Sequence, residues 1–113
     1  MPYIRNKFRA KRTEVDGISF ASKAEAKRYV KLKELEAKGL IWDLELQPAF
    51  TFLINGELLR YPSKRVVKYL ADFRYQTEDG EVIEDVKGMD TPMSKLKRSL
   101  VAHIHKQEVI IIK

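Results

Sequence analysis

The chain contains no cysteine, which excludes disulfides and thiolate metal sites outright. Long hydrophobic runs are also missing. The longest unbroken apolar stretch is Val109 to Ile112, far too short to cross a bilayer. The opening residues, Met1-Pro2-Tyr3-Ile4-Arg5, lack the apolar centre that a signal peptide requires. There is no internal repeat and no low-complexity segment. These absences predict a cytoplasmic protein with no membrane association. At 113 residues, 44% of them apolar, the chain is long enough to bury one core and is expected to form one domain.

What is abundant is positive charge. Lys and Arg number 22 against 16 Asp and Glu, a net charge of +6, which suits a polyanionic partner. The first twelve residues contain Arg5, Lys7, Arg9, Lys11 and Arg12 and no acid. Such a segment reads either as a solvated tail or as an arm that tracks phosphates with salt-dependent affinity. The expected organisation is therefore a basic arm over 1–12 and a single domain over 13–113.

Local signals divide the rest. Asp16-Gly17 predicts a short hairpin anchored by Val15, Ile18 and Phe20. Ser22-x-x-Glu25 has the form of a capping box, opening a helix that runs to about Lys38 and stops at Gly39. Leu40 to Leu46 reads as a connection into a strand over about 46–54, which Asn55-Gly56 closes as a hairpin turn. A second strand starts near Leu58, breaks at Pro62-Ser63, and resumes from Val66 through Tyr75. The turn Thr77-Glu78-Asp79-Gly80 leads into a strand over Glu81 to Lys87. Thr91-Pro92 predicts an N-cap and first helical residue, with the helix running to about Lys106. Val109 to Ile112 reads as a buried closing strand. The order helix, three or four strands, helix, strand predicts an α/β fold around a mixed sheet.

The hairpin at Asp79-Gly80 folds Asp72 back opposite Asp85 to Lys87. Strand alternation points Asp85 and Lys87 one way and Glu84 and Val86 the other. With Ala71, Phe73 and Tyr75 forming an apolar face, Asp72 falls on the opposite side. Two carboxylates and a lysine thus meet on one patch. Paired carboxylates suit a hard cation such as Mg²⁺, which retains several waters, and the lysine would steady charge on a phosphodiester. The same spacing also describes an ordinary cross-strand salt bridge. On the first helix, Lys23, Lys27, Lys31, Glu34 and Lys38 share a charged face, with Tyr29 and Leu32 opposite. Glu25 projects inward, either as the capping-box acid or as a further member of the site, and Glu36 shares nearly the same face. Trp42, Phe50 and Phe52 read as core. His103 and His105, two apart on a helix, diverge and cannot form a joint metal site.

The segments Asp72 and Glu84-Asp85-Val86-Lys87 resemble the signature of the PD-(D/E)XK nucleases, with Ala71 in place of the proline. The chain is more closely similar to a family of small phage and prophage proteins. That likeness is carried by Thr13 to Gly17, Phe20 to Ala26, Leu44 to Pro48, Ala71 to Phe73 and Glu84 to Gly88. It implies a restriction-endonuclease-like αβββαβ core whose mixed central sheet is flanked by helices. It further implies Asp72 and Asp85 as metal ligands, Lys87 assisting the attacking water, and Glu25 as the helix acid. Gln47 resembles the glutamine of transposon-type relatives. Lys95, Lys97 and Arg98, just past the Asp-x-Lys strand, would hold phosphates or form a solvated helix face. The function so implied is a Mg²⁺-dependent endodeoxyribonuclease, with Mn²⁺ as substitute and no small-molecule cofactor. Its host would be a bacterial or phage-infected cytoplasm. Branched DNA, as cut by Holliday-junction resolvases, is a candidate substrate by analogy, and a homodimer is expected. The alternative is a non-catalytic nucleic-acid-binding module on the same scaffold.

Overall fold

The fold is that of a computed structural model in which residues 12–113 are described; all of the predicted arm over 1–12 except Arg12 lies outside them. The chain opens with β1 (Thr13–Val15) and β2 (Ile18–Phe20), an antiparallel pair closed by the Asp16-Gly17 turn. Helix α1 (Lys23–Ala37) follows. Ser22 Oγ accepts the Glu25 backbone N–H at 3.1 Å, which satisfies one of the donors left open at a helix start. The far end closes as a Schellman motif: Leu40 N–H donates to Leu35 O and Gly39 N–H to Glu36 O, both at 3.0 Å. Gly39 takes φ of 76°, a conformation that only glycine adopts without strain.

The middle of the chain is more broken than its sequence pattern predicts. Residues 42–46, read as a connection, form β3 (Trp42–Leu46). The strand expected over 46–54 is two short pieces, β4 (Ala49–Phe50) and β5 (Leu53–Ile54). The cause is local: Gln47 has φ of 53° and precedes Pro48, which cannot donate to a ladder. Asn55 and Gly56, at φ of 53° and 82°, turn the chain from β5 into β6 (Glu57–Leu58), the two positive values that a type I′ turn needs. Beyond Pro62-Ser63 come β7 (Tyr69–Leu70) and β8 (Phe73–Thr77), separated by Ala71 and Asp72. Strands β9 (Gly80–Val86) and β10 (Val109–Ile112) flank helix α2 (Pro92–Leu100). A π-helical turn, Val101–His105, continues α2 and stops at left-handed Lys106.

Strands β10, β9, β8 and β3 form the main sheet in that order. The β10–β9 pair is parallel, and β9–β8 and β8–β3 are antiparallel, so the sheet is mixed and the protein is α/β. Its helices and main-sheet strands follow in the order α1, β3, β8, β9, α2, β10. Each sheet face carries its own core. On one side Phe73 and Tyr75 meet Ala26, Tyr29 and Leu32 of α1. On the other, Ala71 and Ile83 meet Phe50, Phe52, Tyr69 and Val101.

Ala71 and Phe73 therefore face opposite cores, not the single apolar face expected of them. The interruption of the strand at Asp72 accounts for the change. Trp42, expected in the core, is 45% exposed because β3 is an edge strand, paired only with β8. Among the described residues no helix is long and apolar enough to cross a membrane.

Candidate metal and active site

The register of the β8–β9 hairpin pairs Phe73 with Glu84, so one further step sets Asp72 opposite Asp85. Backbone hydrogen bonds hold Asp72 at the strand break. Its N–H donates to Glu84 O at 3.0 Å, and its carbonyl accepts from Gln47 N–H at 2.9 Å. Its Oδ2 accepts the Val86 N–H at 2.7 Å. The strand interruption thus turns a carboxylate in toward β9, where a continuous strand would have spent the same donors on ladder pairing.

Asp85 is 3% exposed. It accepts a hydrogen bond from Tyr69 Oη through Oδ2, and Lys87 Nζ lies 3.2 Å from that oxygen. Tyr69 belongs to the far-side core, so its hydroxyl fixes Asp85 from beneath the sheet. Burial, and then the Asp85 carboxylate that it serves, raise the Tyr69 phenol. Glu84 and Val86 point the other way, as alternation predicts. Glu84 is 2% exposed and takes a two-point bond from Arg28, at 2.7 and 2.5 Å, together with the Tyr75 hydroxyl.

Glu25 lies in the first turn of α1, buried although ionisable. Burial pushes its pKa above the usual carboxylate range, and the neighbouring Asp85 charge adds to that. The backbone at Ala21 acts on its carboxyl to lower the pKa. Asp72 is pushed up to about 7, first by burial, then by its contact with Asp85, with the Asp85 and Glu25 charges adding smaller effects. The Val86 N–H opposes the rise. Three acids therefore gather where each disfavours ionisation of the next. Glu36, by contrast, sits apart on α1 and pairs with Lys33 at 2.7 Å.

Glu25, Asp72, Asp85 and Lys87 line one open cleft of about 590 Å³, with Arg12 and Gly88 on its rim. Arg12 is itself tied to Ser19 through Nε at 3.0 Å and Nη2 at 3.3 Å. Gln47 does not line this cleft. It borders a smaller cavity of about 150 Å³ that shares Glu25 and Asp72, and its backbone, rather than its amide, touches Asp72.

Among the described residues no three or more His, Asp or Glu side chains are grouped so that together they could hold a metal ion. The donor set is instead the Asp72–Asp85 pair, with Glu25 beside it. Paired carboxylates of this kind suit a hard divalent cation that keeps much of its own water.

The remaining predicted contacts divide. Arg5, Lys7, Arg9 and Lys11 lie outside the described residues. Lys95 is exposed on α2, and Lys97 Nζ lies 5.8 Å from the Tyr61 ring centre. Arg98 is engaged by Asp90 at 2.8 and 2.5 Å and by Ser94 at 2.9 Å. It is thus a structural cation in this fold and not a free phosphate donor, because Asp90 precedes the helix N-cap within reach of its third turn. His105 packs edge-on to Phe50 and Phe52 and contacts Thr51 O at 2.6 Å, while His103 is exposed. Tyr69 and Arg28 escaped the sequence reading. Tyr69 is an apolar-looking strand residue, and only tertiary contact reveals that its hydroxyl reaches Asp85.

Over residues 5–112 the chain matches the family described as "Protein of unknown function (DUF1064)". No curated protein and no solved structure gives a significant match.

Proposed function

We propose that this chain, which belongs to the DUF1064 family of proteins of unknown function, is a Mg²⁺-dependent endonuclease acting on DNA. The observation that carries the reading is the convergence of Asp72, Asp85, Glu25 and Lys87 on one cleft of a chain with net charge +6. The order α1, β3, β8, β9, α2, β10 supports it, as does the likeness of Asp72 and Glu84-Asp85-Val86-Lys87 to the PD-(D/E)XK signature.

In this reading Asp72 and Asp85 hold the cation, and Mn²⁺ substitutes for Mg²⁺. The bound cation supplies Lewis-acid polarisation of the phosphodiester and lowers the pKa of an attacking water. Tyr69 Oη holds Asp85 in one orientation. Lys87 Nζ keeps a positive charge beside Asp85, where it offsets negative charge developing on the phosphoryl oxygens. Glu25, whose pKa burial raises above the usual carboxylate range, accepts the proton given up by the attacking water. Phosphates of the flanking DNA meet Arg12, Lys95 and the basic segment before them.

Linear, nicked, flapped and four-way DNA incubated with and without Mg²⁺ tests the proposal. Cleavage is expected only with the metal, and Asp85→Ala is expected to lower the rate by about a hundredfold or more. A panel in which no substrate is cut, or in which Asp85→Ala cuts as well as the native chain, would sink it.

A second reading has one specific observation in its favour. Asp85 is already satisfied by Lys87 and Tyr69, as in a scaffold that binds nucleic acid without cutting it. Absence of Mg²⁺ and Mn²⁺ binding in calorimetry, alongside salt-sensitive DNA binding, would select that reading.

A further inference from the structure

Residues 60–68 include Arg60, Lys64, Arg65 and Lys68 and no acid. They form a tight hairpin tip. Lys64 N–H donates to Tyr61 O at 2.8 Å and Tyr61 N–H to Arg65 O at 2.9 Å. Lys64 takes the left-handed conformation at φ 78°. Pro62 thus occupies the second position of a turn that its fixed φ favours, and the left-handed residue closes it as a bulge. Arg60 Nη1 adds a bond to Lys64 O at 2.8 Å. The cations therefore stand on a stiff support.

That tip leans toward α2. The Arg65 guanidinium lies 5.6 Å and Lys97 Nζ 5.8 Å from the centre of the Tyr61 ring, both within cation–π reach. Around the ring opens a cavity of about 410 Å³ lined by Tyr61, Arg65, Val66, Lys68 and Lys97. No carboxylate lines it. Among the described residues Arg65, Lys68 and Lys97 form no ion pair, whereas Arg28, Arg74, Lys87 and Arg98 each do. Three cations held together without a counter-charge repel one another, and a polyanion relieves that repulsion.

The cavity is not isolated. Lys68 and Lys97 also line a neighbouring hollow of about 340 Å³, whose other wall includes Leu70 and Lys87. Leu70 and Lys87 in turn line the carboxylate cleft. A basic path therefore runs from Lys87 past Lys68 and Lys97 to Arg65. Its length favours a chain of phosphates over one small anion.

We propose that Lys68, Lys97 and Arg65 hold successive phosphates of the DNA strand on one side of the bond that sits in the carboxylate cleft. The placement of that bond rests on the nuclease reading; the strand path does not. Tyr61 gathers the two outer cations and is not a base-stacking platform.

The test is fluorescence anisotropy of labelled single-stranded and duplex DNA in EDTA, across a salt series of roughly 50–200 mM. Arg65→Gln/Lys68→Gln/Lys97→Gln is compared with Lys27→Gln/Lys31→Gln/Lys38→Gln on the outer face of α1, both checked for unchanged melting. The track variant should bind about tenfold or more weakly, with a log–log salt slope shallower by roughly two to three, while the control keeps the native slope. Equal losses in both variants, no loss in the track variant, or no DNA binding by the native chain would overturn the proposal. Displacement by polyglutamate as effective as by DNA of equal charge would also overturn it, because the path would then be a general anion site. If cleavage is absent in every protein while the track variant alone loses its slope, the nuclease reading fails and the strand path stands.

Discussion

Asp72 and Glu25 are acids whose protons the fold retains. In the unfolded chain Asp72 loses its proton near 3.8, whereas in the folded chain it does so at about 7, and Glu25 shifts in the same direction. Between those values the native state binds more protons than the unfolded state, so stability falls as pH rises from about 4 to about 7. Melting curves in EDTA across that range should show the decline, and Asp72→Asn should flatten it. Adding Mg²⁺ at pH 7.5 should restore more stability to the native chain than to the variant, since a cation bound to the folded state alone stabilises it. A native chain whose melting temperature rises steadily from pH 4 to 7 in EDTA would contradict this account. The pairing of Asp72 against Asp85 was legible in the sequence because hairpin register is a local rule, but alternation did not place the Asp72 side chain, since the strand breaks there. The rise in proton affinity was not legible, since it depends on how deeply three separate segments bury their acids together.

At the scale of elements, α1 is aligned on the sheet by one buried pair. Glu84 is 2% exposed and Arg28 reaches it from the helix with two hydrogen bonds. Arg28→Ala leaves that carboxylate buried with only the Tyr75 hydroxyl. It should cost about 2–3 kcal/mol in urea unfolding, toward the low end for a broken buried pair because the Arg28 side chain is partly exposed. Arg28 lies one turn after Glu25, so the same change should also loosen the acid that faces the cleft. The end of α1 offers a milder test. A Cβ at Gly39 would meet nothing within 4 Å, so Gly39→Ala should cost only the left-handed backbone penalty, about 1 kcal/mol. Caps and turns were readable here: Ser22, Gly39, Asn55-Gly56 and Thr91-Pro92 all stand where their chemistry predicts. Strand continuity was not. The break at Gln47-Pro48 is local, set by a left-handed glutamine before a proline, whereas the break at Ala71-Asp72 follows from contacts with neighbouring segments.

At the scale of the molecule, the sheet places the carboxylate cleft where β8 begins and β9 ends, beside the first turn of α1. A compact nuclease of this size needs two copies to cut both strands or to embrace a junction, so a homodimer is expected on DNA. Sedimentation velocity of the protein alone and with a four-way junction tests this; a single monomeric species in both conditions would remove it.

By itself the sequence determined the α/β class, the helix ends, the hairpin turns and the pairing of Asp72 against Asp85. These rest on dihedral preferences and periodicities that act over a few residues. Only the tertiary structure decided that Tyr69 restrains Asp85, that Arg28 neutralises Glu84, that Arg98 is engaged by Asp90, and that residues 60–68 continue the basic path from Lys87. Those contacts depend on how side chains of different elements and loops meet, and their energies arise from burial and charge proximity, which have no local signature.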